Sequence, residues 1–128
     1  MRIIVEGNPI PLQRARAGKS GFYDPQFVAK RNFAHIVKEQ YKEPPITTAI
    51  SLILKFNMQM PKSWSKKKKL LMLGKEHIQT PDTSNLLKFC EDALLKILWL
   101  DDCLISEIHA EKIWADIGST IIEIKVVK

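Results

Sequence analysis

Residues 81–102 read PDTSNLLKFCEDALLKILWLDD, and the reading of this stretch governs the rest of the chain. Leu86, Leu87, Cys90, Ala93, Leu94, Ile97 and Leu98 recur every three or four residues, which makes one apolar stripe along a helix. Lys88, Glu91, Asp92 and Lys96 fall on the other side, with Lys88/Asp92 and Asp92/Lys96 spaced as i,i+4 pairs. The stretch opens with Asp82 behind a proline and closes with Asp101-Asp102. Acids at both ends of a buried helix admit two readings: a capped helix followed by a turn, or two parts of one cation site. A helix of roughly sixteen residues is about 24 Å long. Asp82 and Asp102 therefore meet in one subunit only if the chain doubles back through Trp99-Leu100. Otherwise the ligands come from two subunits. Spacing alone favours the capped helix, because short motifs recur by chance.

Outward from this helix, the pattern alternates between periods of two and of 3.6. Ile50, Leu52, Leu54, Phe56, Met58 and Met60 alternate with more polar residues, which predicts a strand with one face in the core. Arg2–Glu6 is a short β-branched run ended by Pro9 and Pro11. Leu12 to Tyr23 reads as a basic loop. Asp24-Pro25 then offers an oxygen-bearing cap and a first-turn proline for a helix to about Tyr41, with Ala29, Phe33, Ile36, Val37 and Tyr41 on one face. Ser63 or Ser65 caps a short helix that Gly74 ends, and His77–Thr80 is a brief extended piece. Beyond Asp102, Leu104–Trp114 and Ser119–Val127 read as two strands joined by an Ala-Asp-Ile-Gly turn and paired as a hairpin. The expected architecture is α+β, a single domain over residues 1–128. Its sheet is mixed or mostly antiparallel, with helices packed on one side.

Composition narrows the function classes. The net charge of +6 and pI of about 9.4 suit a polyanionic partner. Cys90 and Cys103 belong to no CxxC or Cys/His pattern, so a zinc site has no support, and Cys90 lies on the apolar face as a core residue. His35, His77 and His109 are dispersed, and without a Gly-x-Ser-x-Gly motif a hydrolase triad has no support either. No apolar run is long enough to cross a bilayer, and the N-terminus lacks the length of a signal peptide. These features describe a reduced, cytoplasmic protein with no membrane partner.

Two basic clusters stand out. Lys66-Lys67-Lys68-Lys69, with Lys62 and the nearby Trp64, covers every side of a helix. Phosphate neutralisation with Trp64 stacked on a base, and a merely solvated surface, are both open readings. Arg14 and Arg16, alternating on an extended segment with Lys19 nearby, suit phosphate contacts or form a mobile surface loop.

The ordered motifs G-N-P-I-P-L-Q-R-A-R, F-Y-D-P, M-P-K-S-W-S-K-K-K-K, P-D-T-S-N-L-L-K-F, E-D-A-L and W-L-D-D-C-L-I resemble those of the RusA-type Holliday junction resolvases. The resemblance covers nearly the whole chain, and its most specific part is P-D-x-x-N-L-x-K followed at the right distance by Asp-Asp. It implies a homodimeric endodeoxyribonuclease that binds four-way DNA junctions and makes paired, Mg²⁺-dependent nicks, with Mn²⁺ as a substitute. Its setting is recombination and repair, in the nucleoid or encoded by a phage. Carried over, the catalytic residues are Asp82, Asp102 and Lys88. The metal-binding acids are Asp82 and Asp102, with Asp101 beside them. Arg14, Arg16, Lys62 and Lys66–Lys69 hold the junction arms.

One departure matters. The family's second motif acid falls on Ser84, whose hydroxyl brings no negative charge. Three readings follow: a nuclease that draws another acid into the site, with Asp101, Glu107 or Asp92 as candidates; a junction-binding protein whose catalysis is impaired; or a serine introduced where the natural chain has the acid.

Overall fold

The computed structural model describes residues 1–13, 16–18 and 21–127, without the Arg16 side chain. Its strands are β1 (Arg2–Glu6), β2 (Arg16–Gly18), β3 (Gly21–Tyr23), β4 (Ile50–Gln59), β5 (Ile105–Ala115) and β6 (Ser119–Val126). Its helices are α1 (Phe27–Gln40), α2 (Lys66–Met72) and α3 (Thr83–Leu94). The four long strands form a mixed sheet in the order β1-β6-β4-β5, and β2 and β3 form a separate hairpin. The architecture is α+β, as the alternating periods predict.

β4 is the centre of the sheet. Ile50, Leu52, Leu54, Phe56 and Met58 are all buried, and the strand has partners on both sides. Ile3, Val5, Trp114, Ile122 and Ile124 complete the buried face of the sheet. α1 and α3 cover it, and the Phe33 and Phe89 rings meet edge-on with centroids 5.6 Å apart. Cys90 is buried among these residues, as its place on the apolar stripe predicts.

Several boundaries differ from the sequence reading. The expected β5–β6 hairpin does not form: β4 lies between the two, parallel to β5 and antiparallel to β6. Adjacency in sequence suggested the hairpin. The strand with the most apolar alternation takes the central position instead, because it has the longest apolar face to bury. The Asp116–Gly118 connection therefore crosses the end of β4. Gly118 allows this crossing, since a Cβ there would lie 2.7 Å from Asn8 Cα. The basic segment read as a loop contains the β2–β3 hairpin, with Arg16 paired to Tyr23. Arg14, Ala15, Lys19, Ser20 and Lys128 lie outside the described residues.

α1 starts later than Asp24-Pro25 suggests. Asp24 accepts a hydrogen bond from the Gln26 backbone N–H at 2.9 Å, and the helix begins at Phe27. Gln26 itself is buried and ties down the incoming chain. Its amide accepts from the Gln13 N–H and donates to the Pro11 carbonyl, both at 2.8 Å. α2 follows expectation: the Ser65 hydroxyl accepts from the Lys68 N–H at 3.2 Å, and Gly74 turns away with a φ of +80°.

α3 is shorter than the apolar stripe implies, with 12 residues. Lys96 adopts a φ of +65° and breaks the helix. Leu98 and Trp99 are nonetheless completely buried. Backbone bonds from Ile46 N–H to the Leu98 carbonyl and from Leu100 N–H to the Ile46 carbonyl hold this turn against the chain entering β4. The same 3- and 4-residue spacing that extends a helix thus also serves a tight reversal whose apolar residues point inward.

Candidate nuclease site

α3 presents Ser84, Lys88 and Glu91 on one side, spaced i, i+4 and i+7. Its buried residues Leu86, Phe89, Cys90, Ala93 and Leu94 lie on the opposite side and fix which side faces outward. Asp82 occupies the N-cap position in extended conformation, but its carboxylate makes no capping hydrogen bond. The capped-helix reading of Asp82 therefore accounts for its position and not for its side chain, which is exposed beside the helix N-terminus. Lys112 of β5 fixes the approach to Asp82. Its ammonium donates to the Gln79 carbonyl and, at 2.6 Å, to the Pro81 carbonyl.

At the other end, the reversal at Leu95–Trp99 returns the chain towards the outward side of α3. The indole Nε1–H of Trp99 donates to Asp102 Oδ1 at 2.7 Å. A fully buried indole is a rigid donor, so it orients a half-buried carboxylate that water would otherwise leave free to rotate. Asp101 has a different task. Its Oδ1 accepts from the Cys103 N–H at 3.1 Å and caps the short 3₁₀ turn Asp102–Leu104. That backbone bond, followed by the Cys103 thiol, holds the Asp101 carboxyl below the usual range.

Glu91 is the acid that the reversal brings into play. Burial raises its pKa first, then the negative charge of Asp102, then that of Asp92, while Lys88 opposes these effects. Glu91 and Asp102 thus lie within electrostatic reach of each other, with Lys88 as the cation that offsets their repulsion. Among the described residues, no three His, Cys, Asp or Glu side chains gather in a metal-holding group, and Asp82 is not joined with Glu91 and Asp102 in one. Along α3, Asp82 is nine residues from Glu91, or roughly 14 Å of helix axis. The chain does double back, but to the third turn of the helix and not to its start.

The remaining acids have other partners. Asp92 pairs with Lys30 of α1 at 3.4 Å, and the same ammonium binds Asp24 at 2.7 Å. The expected Lys88/Asp92 and Asp92/Lys96 pairs do not form, because Lys30 is half-buried between the two helices and is the better-placed cation. Among the described residues, Lys88 makes no salt bridge within 4 Å and so stays available. Glu107 accepts from the Ser51 hydroxyl at 2.9 Å, on the sheet face away from the helices. Of the three acids that could replace the one missing at Ser84, Asp92 and Glu107 are engaged elsewhere and Asp101 is a cap. Glu91 was overlooked, although E-D-A-L contains it. Its spacing of three from Lys88 and seven from Ser84 was the available signal.

In the basic clusters, Lys62, Lys66, Lys67 and Lys68 are exposed and Lys69 is half-buried. Trp64 does not offer an open face for stacking. It packs on Trp114 with centroids 4.7 Å apart, and the Lys68 ammonium lies 4.3 Å above its ring. Arg14 lies outside the described residues, and Arg16 is placed only through its backbone in β2.

The donor chemistry suits a hard cation. Asp102 and Glu91 offer carboxylate oxygens, and an ion of the Mg²⁺ type takes one or two carboxylates while keeping waters and substrate phosphate oxygens. A divalent charge would also relieve the repulsion that raises Glu91. Among the described residues, no helix is long and apolar enough to cross a membrane. A search of curated protein sequences gave no match. The sequence model of the family described as Endodeoxyribonuclease RusA matches residues 6–125, nearly the whole chain. The motifs on α3, the rigidly held Asp102 that follows them and this match together place the chain in the RusA family of metal-dependent Holliday junction endodeoxyribonucleases.

Proposed function

We propose that phosphodiester cleavage takes place on the outward side of α3, within one domain spanning residues 1–128, and that Asp82, Asp102 and Lys88 are its catalytic residues. The observation that supports this reading is the Trp99–Asp102 hydrogen bond of 2.7 Å, which orients the motif acid, together with the repulsion between Asp102 and Glu91 that Lys88 offsets. Mg²⁺, with Mn²⁺ as a substitute, is the proposed ion. When bound, it supplies a polarised phosphate and a water of lowered pKa. Asp102 provides oxygen donors, and Asp82, roughly 14 Å along α3 from Glu91, provides them to the same ion from the second subunit. Glu91 provides the negative charge that Ser84 does not, and Asp101 holds the turn that presents Asp102. Lys88 offers its ammonium to the scissile phosphate, where charge develops.

The lysines at 62 and 66–69, together with Arg14 and Arg16, are proposed to hold the junction arms through phosphates, which implies recognition of shape rather than sequence. Two active sites related by a two-fold axis match the symmetry of an open four-way junction, so the active species is a homodimer. A cytoplasmic, nucleoid-associated setting, chromosomal or phage-encoded, follows from the substrate.

The test is incubation with labelled four-way junction and linear duplex in Mg²⁺, Mn²⁺ or EDTA. Metal-dependent paired nicks that vanish in Asp102→Asn and fall sharply in Glu91→Gln support the proposal. Equal affinity for linear duplex sinks it. Ser84 favours a second reading, in which the protein binds junctions without cutting them. A junction-specific shift with no nicks in any metal would establish that reading.

A further inference from the structure

The sheet has two edges, and they are treated differently. On the β1 edge, the Gln40 side chain from α1 mimics a strand: its amide accepts from the Ile4 N–H at 3.0 Å and donates to the Ile4 carbonyl at 2.7 Å. On the β5 edge, the segment from Gly74 to His77 bonds to Lys112 and Trp114 and protects the C-terminal part of the strand. Among the described residues, no backbone group is bonded to the outer edge of β5 from Ile105 to Glu111. An open edge of this length invites another strand.

We infer that this segment of β5 pairs antiparallel with the same segment of a second copy of the chain, centred on Ile108, and forms the homodimer interface. The inference rests on the reading of the protein as a two-fold nuclease. A two-fold axis through a strand edge requires antiparallel self-pairing. Lys112 and Trp114 direct their backbone groups outward, to the Gly74–His77 segment, so by the alternation of a strand Ile108 and Ala110 do as well. Partners across the axis must then be even with even and odd with odd.

Charge selects one register. Centred on Ile108, Glu107 faces the partner's His109 and His109 faces the partner's Glu107, in the non-hydrogen-bonded positions where side chains lie closest. A neutral imidazole N–H can donate to the carboxylate as well as a charged one. Centred on residue 107, Glu107 meets its own copy. Centred on residue 109, Glu107 meets Glu111 twice. A centre at residue 110 requires Lys112, whose carbonyl already accepts from His77. The Ile108 side chain, 41% exposed on the helix side, meets its own copy on the axis. Charges that only protected an edge would repel in every register. These repel in the two adjacent registers and attract in the central one, which is how specificity is built from both signs. Ser51 steadies Glu107 for this contact through the 2.9 Å hydrogen bond.

The experiment is sedimentation equilibrium on the full chain and on Glu107→Lys, His109→Glu and the double variant, with circular dichroism to check folding. Glu107→Lys removes the carboxylate that the imidazole N–H meets and sets an ammonium there, and His109→Glu sets two carboxylates opposite each other, each twice per dimer, so each should weaken dimerisation by about tenfold or more. The double variant restores Lys opposite Glu and should return to near the original affinity. A monomeric parent chain overturns the interface, as do single variants that dimerise normally or a folded double variant that is not rescued. Junction nicking measured on the same samples keeps the two readings apart. A rescued dimer without nicking supports the interface and sinks the nuclease proposal, whereas nicking with dimerisation indifferent to both charges sinks the interface alone.

Discussion

Replacing Trp99 with Phe separates the two tasks of the Trp99–Asp102 contact. The indole is fully buried and its N–H donates to Asp102 Oδ1 at 2.7 Å. A hydrogen bond to a charged acceptor contributes about 1.5–3 kcal/mol, and the half-buried Asp102 argues for the lower end. Losing part of a buried ring adds a cavity cost of roughly 1–2 kcal/mol, scaled from the 3–5 of complete removal. The total of about 3 kcal/mol is a large share of ordinary domain stability and should lower the melting temperature by about 10 °C. Asp102→Asn is the control, because its amide oxygen still accepts the indole hydrogen. Its stability cost should stay under about 1 kcal/mol, while nicking disappears with the charge. Urea unfolding and junction cleavage on both variants and on their combination complete the cycle. In the combination, the Trp99→Phe cost should shrink, since the acceptor is then neutral. The reasoning fails if Asp102→Asn is as destabilising as Trp99→Phe, or if Trp99→Phe nicks at the parental rate at a temperature where it remains folded.

Other outcomes follow from the same geometry. Glu91→Gln removes a carboxylate crowded by Asp102, so the metal-free protein should melt no lower than the parent, while Mn²⁺ affinity followed by its paramagnetic signal drops at least severalfold. His77 is buried against Trp114, and its pKa is lowered by burial and then by Lys112. The folded chain therefore takes up a proton less readily than the unfolded one. Stability should be fully present above the ordinary imidazole value of about 6.5 and fall as the pH drops below it, and His77→Gln should flatten that slope in urea titrations at fixed pH. Changing Lys66, Lys67 and Lys68 to Gln should weaken junction binding at low salt and reduce the slope of log affinity against log salt by about 2–3, read by gel shift across a salt series. An unchanged slope would assign these lysines to solubility alone.

The parts of the fold legible from sequence are those where one physical cause dominates. The alternation from Ile50 to Met60 can be satisfied only by a strand with one buried face, and β4 has that form. The Ser65 cap and Gly74 stop of α2 are local chemistry, fixed within a few residues. Strand order is not local. Nothing in Leu104–Val127 distinguishes a hairpin from two strands separated by a third, because the insertion of β4 is decided by burial summed over the sheet. The end of α3 was misplaced for a related reason. Leu98 and Trp99 needed burial, and both a longer helix and a reversal at Lys96 provide it. The deciding bonds come from Ile46, more than fifty positions away in the chain.

The same reversal decides the site. Spacing set Asp82 and Asp102 about a helix length apart and posed the problem correctly, but it treated the doubling back as all or nothing. The chain returns partway, to the turn of α3 that carries Glu91. This shifts the meaning of Ser84. If the motif's two acids and Asp102 had to share one cluster, a serine among them would remove a third of its charge with nothing at hand to replace it. In the proposed site, where Asp102 acts with Glu91, charge lost near the start of the helix is matched by charge seven residues along the same side, and Lys88 stands between the two positions. A carboxylate raised by burial and by Asp102 is costly for the metal-free fold, and a structural role for Glu91 gives no reason to keep it, since Gln would fill the same space without the repulsion. A divalent cation gives that reason, which is why Glu91→Gln should relieve the fold and weaken the site at once.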